Sequence, residues 1–218
     1  MNTQLTEPIL ERWGPVSAVV LAAGQSSRMG QAKQLAVVAG EPLVIRAVKT
    51  ALQSGAQEVI VVVGAYAEAV TETLSQLNAM AGPRLRVIHN PAYTSGQASS
   101  MKCAVEALAP ATCAALFLPV DQPFAPPVLL RQLIHAWQQG ARIAAPLVDG
   151  QLRGAPAIFD RALFPELLHV TGDVGARSLL QKYRDEVVGL PTAAELLRDL
   201  DTPEDLAFVT WAGLEPSQ

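Results

Sequence analysis

Ten residues, Gly24-Gln25-Ser26-Ser27-Arg28-Met29-Gly30-Gln31-Ala32-Lys33, bring two glycines, two hydroxyls, a guanidinium and an ammonium onto one short stretch. Glycines let the backbone approach a ligand closely, serines donate hydrogen bonds, and Arg28 and Lys33 carry charge that a protein core does not take. An anion is the natural guest of such a stretch, and a phosphate chain above all. Spacing excludes the two best-known phosphate motifs. The dinucleotide fingerprint G-x-G-x-x-G fails because Gln25 and Ser26 follow Gly24, and the P-loop G-x-x-x-x-G-K-[ST] fails because Gln31 follows Gly30. A second chemistry resides in Asp121, which directly follows the apolar residues 113–120. A carboxylate at the end of a buried strand suits Mg²⁺, which takes one or two protein carboxylates together with phosphate oxygens and water.

These groups need a scaffold that presents loops side by side. Residues 16–22 form a nearly unbroken apolar run, the mark of a strand covered on both faces, and the chain turns abruptly at Gly24. Over 42–54, Leu43, Val44, Ala47, Val48, Ala51 and Leu52 recur at helical spacing, with Gly55 as the stop. Strands are expected at 58–63, 85–89 and 113–120, with a helix over 68–77. Residues 95–100 open a helix whose inner face is Met101, Ala104, Val105 and Leu108. Another helix is expected over 126–139, and residues 142–147 begin the second half. Strand and helix alternate with short connections. That predicts right-handed crossovers, a three-layer α/β Rossmann-like fold with a mainly parallel sheet, and ligands at the carboxyl ends of the strands. Residues 1–15 read as an N-terminal tail and 16–218 as a single domain.

The run from Leu21 to Lys33 resembles, without a gap, the signature L-A-A/G-G-x-S-x-R-M-G-x-x-K of the nucleotidyltransferases with a glycosyltransferase-A-like fold. Thr171-Gly172-Asp173-Val174-Gly175-Ala176-Arg177 further resembles the Gly-Asp-x-Gly-Ala-Arg segment of one branch, the molybdenum cofactor cytidylyltransferases. The resemblance implies the fold of that superfamily and transfer of CMP from CTP to the phosphate of a molybdopterin-type cofactor, releasing pyrophosphate. By the same resemblance Leu21, Ala22, Ala23, Gly24, Ser26, Ser27, Arg28 and Lys33 hold the triphosphate, and Arg28, Lys33 and Asp121 are catalytic. Gly96, Gln97, Ser99 and Ser100 hold base and ribose, although serines there also suit a helix cap. Asp121, in Val120-Asp121-Gln122-Pro123 where the family has Gly-Asp-x-Pro, binds Mg²⁺ or Mn²⁺. Asp201 supplies the second carboxylate because it directly precedes Thr202-Pro203, while Asp199 is the weaker candidate. Asp201-Thr202-Pro203-Glu204-Asp205 reads equally well as a helix entry, with proline and acids in the first turn.

The acceptor is assigned to Arg153, Gly154, Pro156, Asp173 and Arg177. Ala155 departs from the family's Gly-His-Pro and leaves the acceptor open, so transfer to a sugar phosphate or another phosphate monoester remains the alternative within the enzyme class. Ala23, where guanylyltransferases have glycine, favours cytosine over a purine. Outside the enzyme class stands a carrier that binds the molybdenum cofactor without turnover, and a molybdenum hydroxylase is the client protein that either would serve.

With 218 residues, half of them apolar, the chain can bury a substantial core, and a net charge of −4 without clustered Lys and Arg speaks against a nucleic-acid partner. Cys103 and Cys113 are expected as small core residues in a reduced compartment. No apolar run approaches the ~20 residues of a membrane span, and a cytoplasmic location is expected.

Overall fold

The computed structural model describes residues 14–27 and 29–212. The expected tail at 1–15 lies outside the described residues except for Gly14 and Pro15, and so does Arg28. In chain order the elements are β1 (Val16–Ala22), β2 (Val37–Val38), β3 (Glu41–Pro42), α1 (Leu43–Leu52), β4 (Glu58–Val63), α2 (Ala67–Ser75), α3 (Asn78–Ala81), β5 (Leu85–His89), α4 (Gln97–Ala107), β6 (Ala114–Pro119) and α5 (Pro127–Gln138). Then follow β7 (Ile143–Val148), β8 (Gln151–Leu152), β9 (Ala157–Asp160), α6 (Phe164–Leu167), α7 (Arg177–Lys182), β10 (Val187–Pro191) and α8 (Pro203–Ala212), with short 3₁₀ turns between several of them. The expected strands and helices are present, with ends moved by one or two residues.

Period-two alternation lets one strand serve two cores. Val16, Ala18, Val20 and Ala22 of β1 face the layer containing α1, α2 and α5, while Val19 faces the opposite layer with α4, α6 and α7. β6 divides likewise, Leu116 and Leu118 against Ala115 and Phe117. This is the three-layer α/β arrangement expected from the alternating pattern. Trp137 of α5, 1 % exposed, donates from Nε1 to Asp160 Oδ2 at 2.8 Å and so fastens the helix to the end of β9.

The sheet runs β10-β7-β9-β6-β1-β4-β5, with β8 paired to β7. β1 lies parallel to both β4 and β6, with Leu21 opposite Val62 on one side and Pro119 on the other. β5 continues parallel beyond β4, so the loops after β1, β4, β5 and β6 open along one edge of the sheet. β9 interrupts the parallel order, pairing antiparallel with both β6 and β7. Its insertion carries the segment before it, residues 153–156, back to the same edge as the loop after β1.

The cysteines correct the expectation of core positions. Cys103 and Cys113 are free thiols and half-buried, Cys103 on the flank of α4 with Sγ 3.8 Å from the His89 carbonyl oxygen. Burial pushes the Cys103 thiol up, and the nearby charge of Glu106 adds to the shift. Among the described residues no helix is long and apolar enough to cross a membrane.

Candidate functional site

The loop that leaves β1 is held from below by a residue that the motif does not include. Gln34 is 1 % exposed, and its Nε2 donates to the carbonyls of Ala22 at 2.9 Å and Gly24 at 2.7 Å. Ser26 adopts a positive φ of 55°, its carbonyl accepts from Met29 N at 2.9 Å, and its hydroxyl accepts from Lys33 N at 3.0 Å. With the loop tied inward at these points, Gly24, Gln25 and Ser27 are left facing outward. Gln34 lies next to Lys33 in a stretch that is otherwise apolar to Val38, which is the signal that could have marked it.

Lys33 points from this loop into a pair of carboxylates. Its Nζ is 3.0 Å from Asp121 Oδ2 and 2.6 Å from Asp201 Oδ1, with the lysine side chain 11 % exposed. Burial by itself lowers the ammonium's pKa, but the charges of Asp121 and Asp201 and the hydrogen bonds to them prevail and hold it above the ordinary value. The carboxylates come from distant parts of the chain. Asp121 follows the end of β6, where Val120 N donates to Leu21 O at 3.1 Å; the Asp121 carbonyl in turn accepts from Leu200 N at 3.0 Å, which brings residues 199–201 alongside. Leu200 is fully buried and anchors that segment.

Asp199 stands beside the pair. Burial raises its carboxyl, the negative charge of Asp121 adds to the rise, and a 3.0 Å hydrogen bond from Gln122 Nε2 to Asp199 Oδ1 opposes it. Among the described residues no cluster of three or more His, Cys, Asp or Glu side chains is disposed to hold a metal. The carboxylates that Lys33 joins, Asp121 and Asp201, are the ones such an ion would find together here. Two carboxylates already converging on one cation fit a divalent ion that takes its remaining ligands from phosphate and water.

A second loop faces the first across the cleft. Asn90, 2 % exposed, donates from Nδ2 to Ser99 Oγ at 2.8 Å and Ser100 Oγ at 3.1 Å, and its Oδ1 accepts from Ala92 N at 2.9 Å. Ser99 Oγ also donates to Gly96 O at 2.8 Å, so this hydroxyl serves the start of α4. Gly96, at φ 103°, lies so close to the turn at Gly172-Asp173 that a Cβ there would stand 2.7 Å from Asp173 Oδ1 and from Gly172 C. Asp173 Oδ1 accepts from Gln97 N at 3.3 Å and caps α4 from across the chain.

Two clefts meet at the carboxylate pair. The first, about 440 Å³, gathers the expected Leu21, Ala23, Gly24, Ser26, Ser27, Lys33, Gly96, Gln97 and Ser100, together with Gln25, Gln34, Tyr93 and Thr94. The second, about 500 Å³, gathers the expected Arg153, Gly154, Asp173 and Arg177 with Ala155, Gln122, Arg198 and Asp199. Leu21, Gln97, Pro119, Asp121, Asp173 and Asp201 line both. Ala22 and Pro156, both buried, and Ser99, half-buried at the start of α4, do not line either cleft. Tyr93 went unnoticed in the sequence; it is seated on Gly64, where a Cβ would lie 2.6 Å from Tyr93 Cβ. The arrangement can hold a polyphosphate in one cleft and a second, arginine-bound anion in the other, with a cation site at the seam.

Comparison with known proteins agrees with this geometry. The molybdenum cofactor cytidylyltransferase of Escherichia coli is 27 % identical over 198 residues, covering 89 % of this chain and 94 % of the relative. Nicotine blue oxidoreductase of Paenarthrobacter nicotinovorans is 33 % identical over 174 residues, covering 77 % of this chain and 82 % of the relative. The bifunctional GlmU protein of Sorangium cellulosum is 36 % identical over 121 residues, but the match spans 55 % of this chain and only 25 % of GlmU. Among solved structures, Rv0371c of Mycobacterium tuberculosis superposes with a TM-score of 0.77 at 28 % identity, covering 91 % of this chain and 98 % of that one. A structure of Rv0371c in complex with manganese superposes with a TM-score of 0.74 at 25 % identity, covering 91 % and 98 % of the two chains. The model of the MobA-like NTP transferase domain matches residues 18–187, from β1 to the start of β10, and the chain belongs to that family of nucleotidyltransferases.

Proposed function

We propose that the protein is a CTP:molybdopterin cytidylyltransferase, with residues 16–218 acting as one unit. The observation that carries this reading is the Lys33–Asp121–Asp201 cluster at the seam of two clefts, one walled by the phosphate-type loop and the other by Arg153 and Arg177. In the first cleft, Gly24, Ser26 and Ser27 hold the triphosphate and Lys33 neutralises it, joined by Arg28 on the strength of the motif; the wall of Gly96, Gln97 and Ser100 holds ribose and base. In the second, Arg153 and Arg177 grip the acceptor phosphate in the forked manner open to guanidinium groups. Asp121 and Asp201 would hold Mg²⁺ or Mn²⁺, which supplies charge neutralisation at the reacting phosphates.

The reaction is an in-line displacement. An oxygen of the acceptor phosphate forms a bond to the α-phosphorus of CTP, the bond from that phosphorus to the β-phosphate oxygen breaks, and pyrophosphate departs. The attacking phosphate is an oxyanion near neutral pH, so the residues act by placing anions and balancing charge. Similarity along nearly the whole length of the Escherichia coli cytidylyltransferase supports the choice of acceptor. Ala155, lining the second cleft in place of the family's histidine, favours a phosphate monoester of another kind as the second reading.

The test incubates the protein with Mg²⁺, molybdenum-loaded molybdopterin and each of CTP, GTP, ATP and UTP, following pyrophosphate and dinucleotide product. CTP-selective turnover is expected, and Lys33→Ala and Asp121→Ala each lower it by a hundredfold or more, about 3 kcal/mol of transition-state stabilisation. Cofactor binding without nucleotide consumption would favour the carrier reading, with a molybdenum hydroxylase as its client. Indifference to the cofactor would direct the search to sugar phosphates.

A further inference from the structure

Lys33 engages both carboxylates at once, and they are the same two groups read above as ligands of a divalent cation. The three residues are held in place by their own backbones. Lys33 N donates to Ser26 Oγ, Leu200 N donates to the Asp121 carbonyl, and Asp201 N donates to Asp205 Oδ2 at 3.1 Å. A divalent ion resting on both carboxylates would lie beside an ammonium already bonded to each of them. Like charges at such separation, in a partly buried site, repel strongly.

Lys33 also has another anion to turn to. It lines the first cleft together with Gly24, Ser26 and Ser27, so a triphosphate on that loop shares the cleft with the ammonium, and the lysine stem has the rotatable bonds to redirect it. We propose that Lys33 makes the carboxylate pair a conditional metal site. The ammonium and the divalent cation compete for Asp121 and Asp201, and the triphosphate resolves the competition by drawing Lys33 onto its own oxygens. Metal and nucleotide then enter as one complex, and the metal does not enter first. The inference rests on the reading of Asp121 and Asp201 as metal ligands and goes beyond it by giving Lys33 control over the order of binding. Linkage makes the effect reciprocal: nucleotide tightens metal by the factor by which metal tightens nucleotide.

Mn²⁺ is titrated into the full chain without acceptor, with the free ion followed by electron paramagnetic resonance, in the absence and presence of CTP; uptake by CTP alone is subtracted. Wild type is expected to bind Mn²⁺ weakly alone and on the order of tenfold more tightly with CTP. Lys33→Met keeps most of the apolar stem and removes the charge. It is expected to bind Mn²⁺ alone on the order of tenfold more tightly than wild type and to show a smaller CTP enhancement, the part that phosphate oxygens supply as ligands. Equal Mn²⁺ affinity of wild type and Lys33→Met in the absence of CTP overturns the inference. The double variant Lys33→Met, Asp121→Asn tells that failure from a failure of the metal reading. Loss of the Mn²⁺ site is expected there, whereas an unchanged site means that the metal does not rest on this pair and overturns both. Lys33→Gln replaces Lys33→Met if the latter's melting curve shows that it does not fold as wild type.

Discussion

Gln34 illustrates how much of a loop's shape is decided by a side chain buried beneath it. It is buried under the loop and directs its amide hydrogens at two carbonyls, Ala22 and Gly24. A leucine would fill nearly the same volume and remove both donors. Gln34→Leu is therefore expected to cost about 1–3 kcal/mol of stability, the penalty of an unsatisfied buried polar group, and to weaken CTP binding because Gly24 and Ser26 lose their fixed positions. Thermal unfolding and a CTP titration on the same variant measure the two effects. Gln34→Glu, by contrast, would place an anion next to the loop and is expected to reduce CTP affinity further than leucine does.

The entry of α8 is built as a reciprocal cap. Thr202 N and Oγ1 both donate to Asp205 Oδ2 at 3.0 Å, and Asp205 N donates back to Thr202 Oγ1 at 3.2 Å, the two-way arrangement of a capping box. The same carboxylate accepts from Asp201 N, so the cap that starts the helix also orients one of the two carboxylates paired with Lys33. Burial alone raises the Asp205 carboxyl, but these hydrogen bonds and the one from Arg198 outweigh it and hold the group below its ordinary value. A depressed carboxylate contributes stability that is complete above the ordinary value of about 3.9 and is lost as pH falls through the lowered one. Asp205→Ala is expected to melt below wild type at neutral pH, with the difference closing as the pH falls through the lowered value. A gap that stays constant across that range would mean that packing, not the ionised cap, is responsible. Thr202→Ala removes the other half of the box and is expected to cost about 1 kcal/mol.

On the scale of the whole molecule, the two clefts are held in register by one close approach between parts of the chain that the fold brings together. Gly96 at the mouth of α4 abuts Gly172 and Asp173 with no room for a Cβ, and Asp173 Oδ1 accepts from Gln97 N. Gly96→Ala must push the turn at Gly172 away from α4, at a φ of 103° that alanine itself adopts only with strain. Because Gln97 and Asp173 line both clefts, the variant is expected to lose affinity for nucleotide and for acceptor together. Calorimetric titration with CTP and with the acceptor measures each. Loss of one affinity alone would show that the clefts are positioned independently.

Local pattern is enough for much of this molecule. An apolar run from Val16 to Ala22, helical spacing from Leu43 to Leu52 and a stop at Gly55 each depend on neighbours a few positions away, and the elements appear where those neighbours require them. The phosphate-type loop is legible for the same reason, since glycine, serine and lysine act within about ten residues of each other. The direction of β9 is not legible, because Ala157, Ile158 and Phe159 would be as apolar in a parallel strand, and the pairing partners alone decide it. Nor does the motif reveal that Ser100 lines the cleft while Ser99 braces the helix start, a matter of where α4 sits against Asn90. The cation cluster is the strongest case. Lys33 stands 88 positions from Asp121 and 168 from Asp201, and only the sheet that sets β1 beside β6, with Leu200 bonded back onto Asp121, brings their charges within 3.0 Å. Secondary structure follows short-range sterics and periodicity, whereas charge chemistry follows distance in space, and that distance is set by the packing of the entire chain.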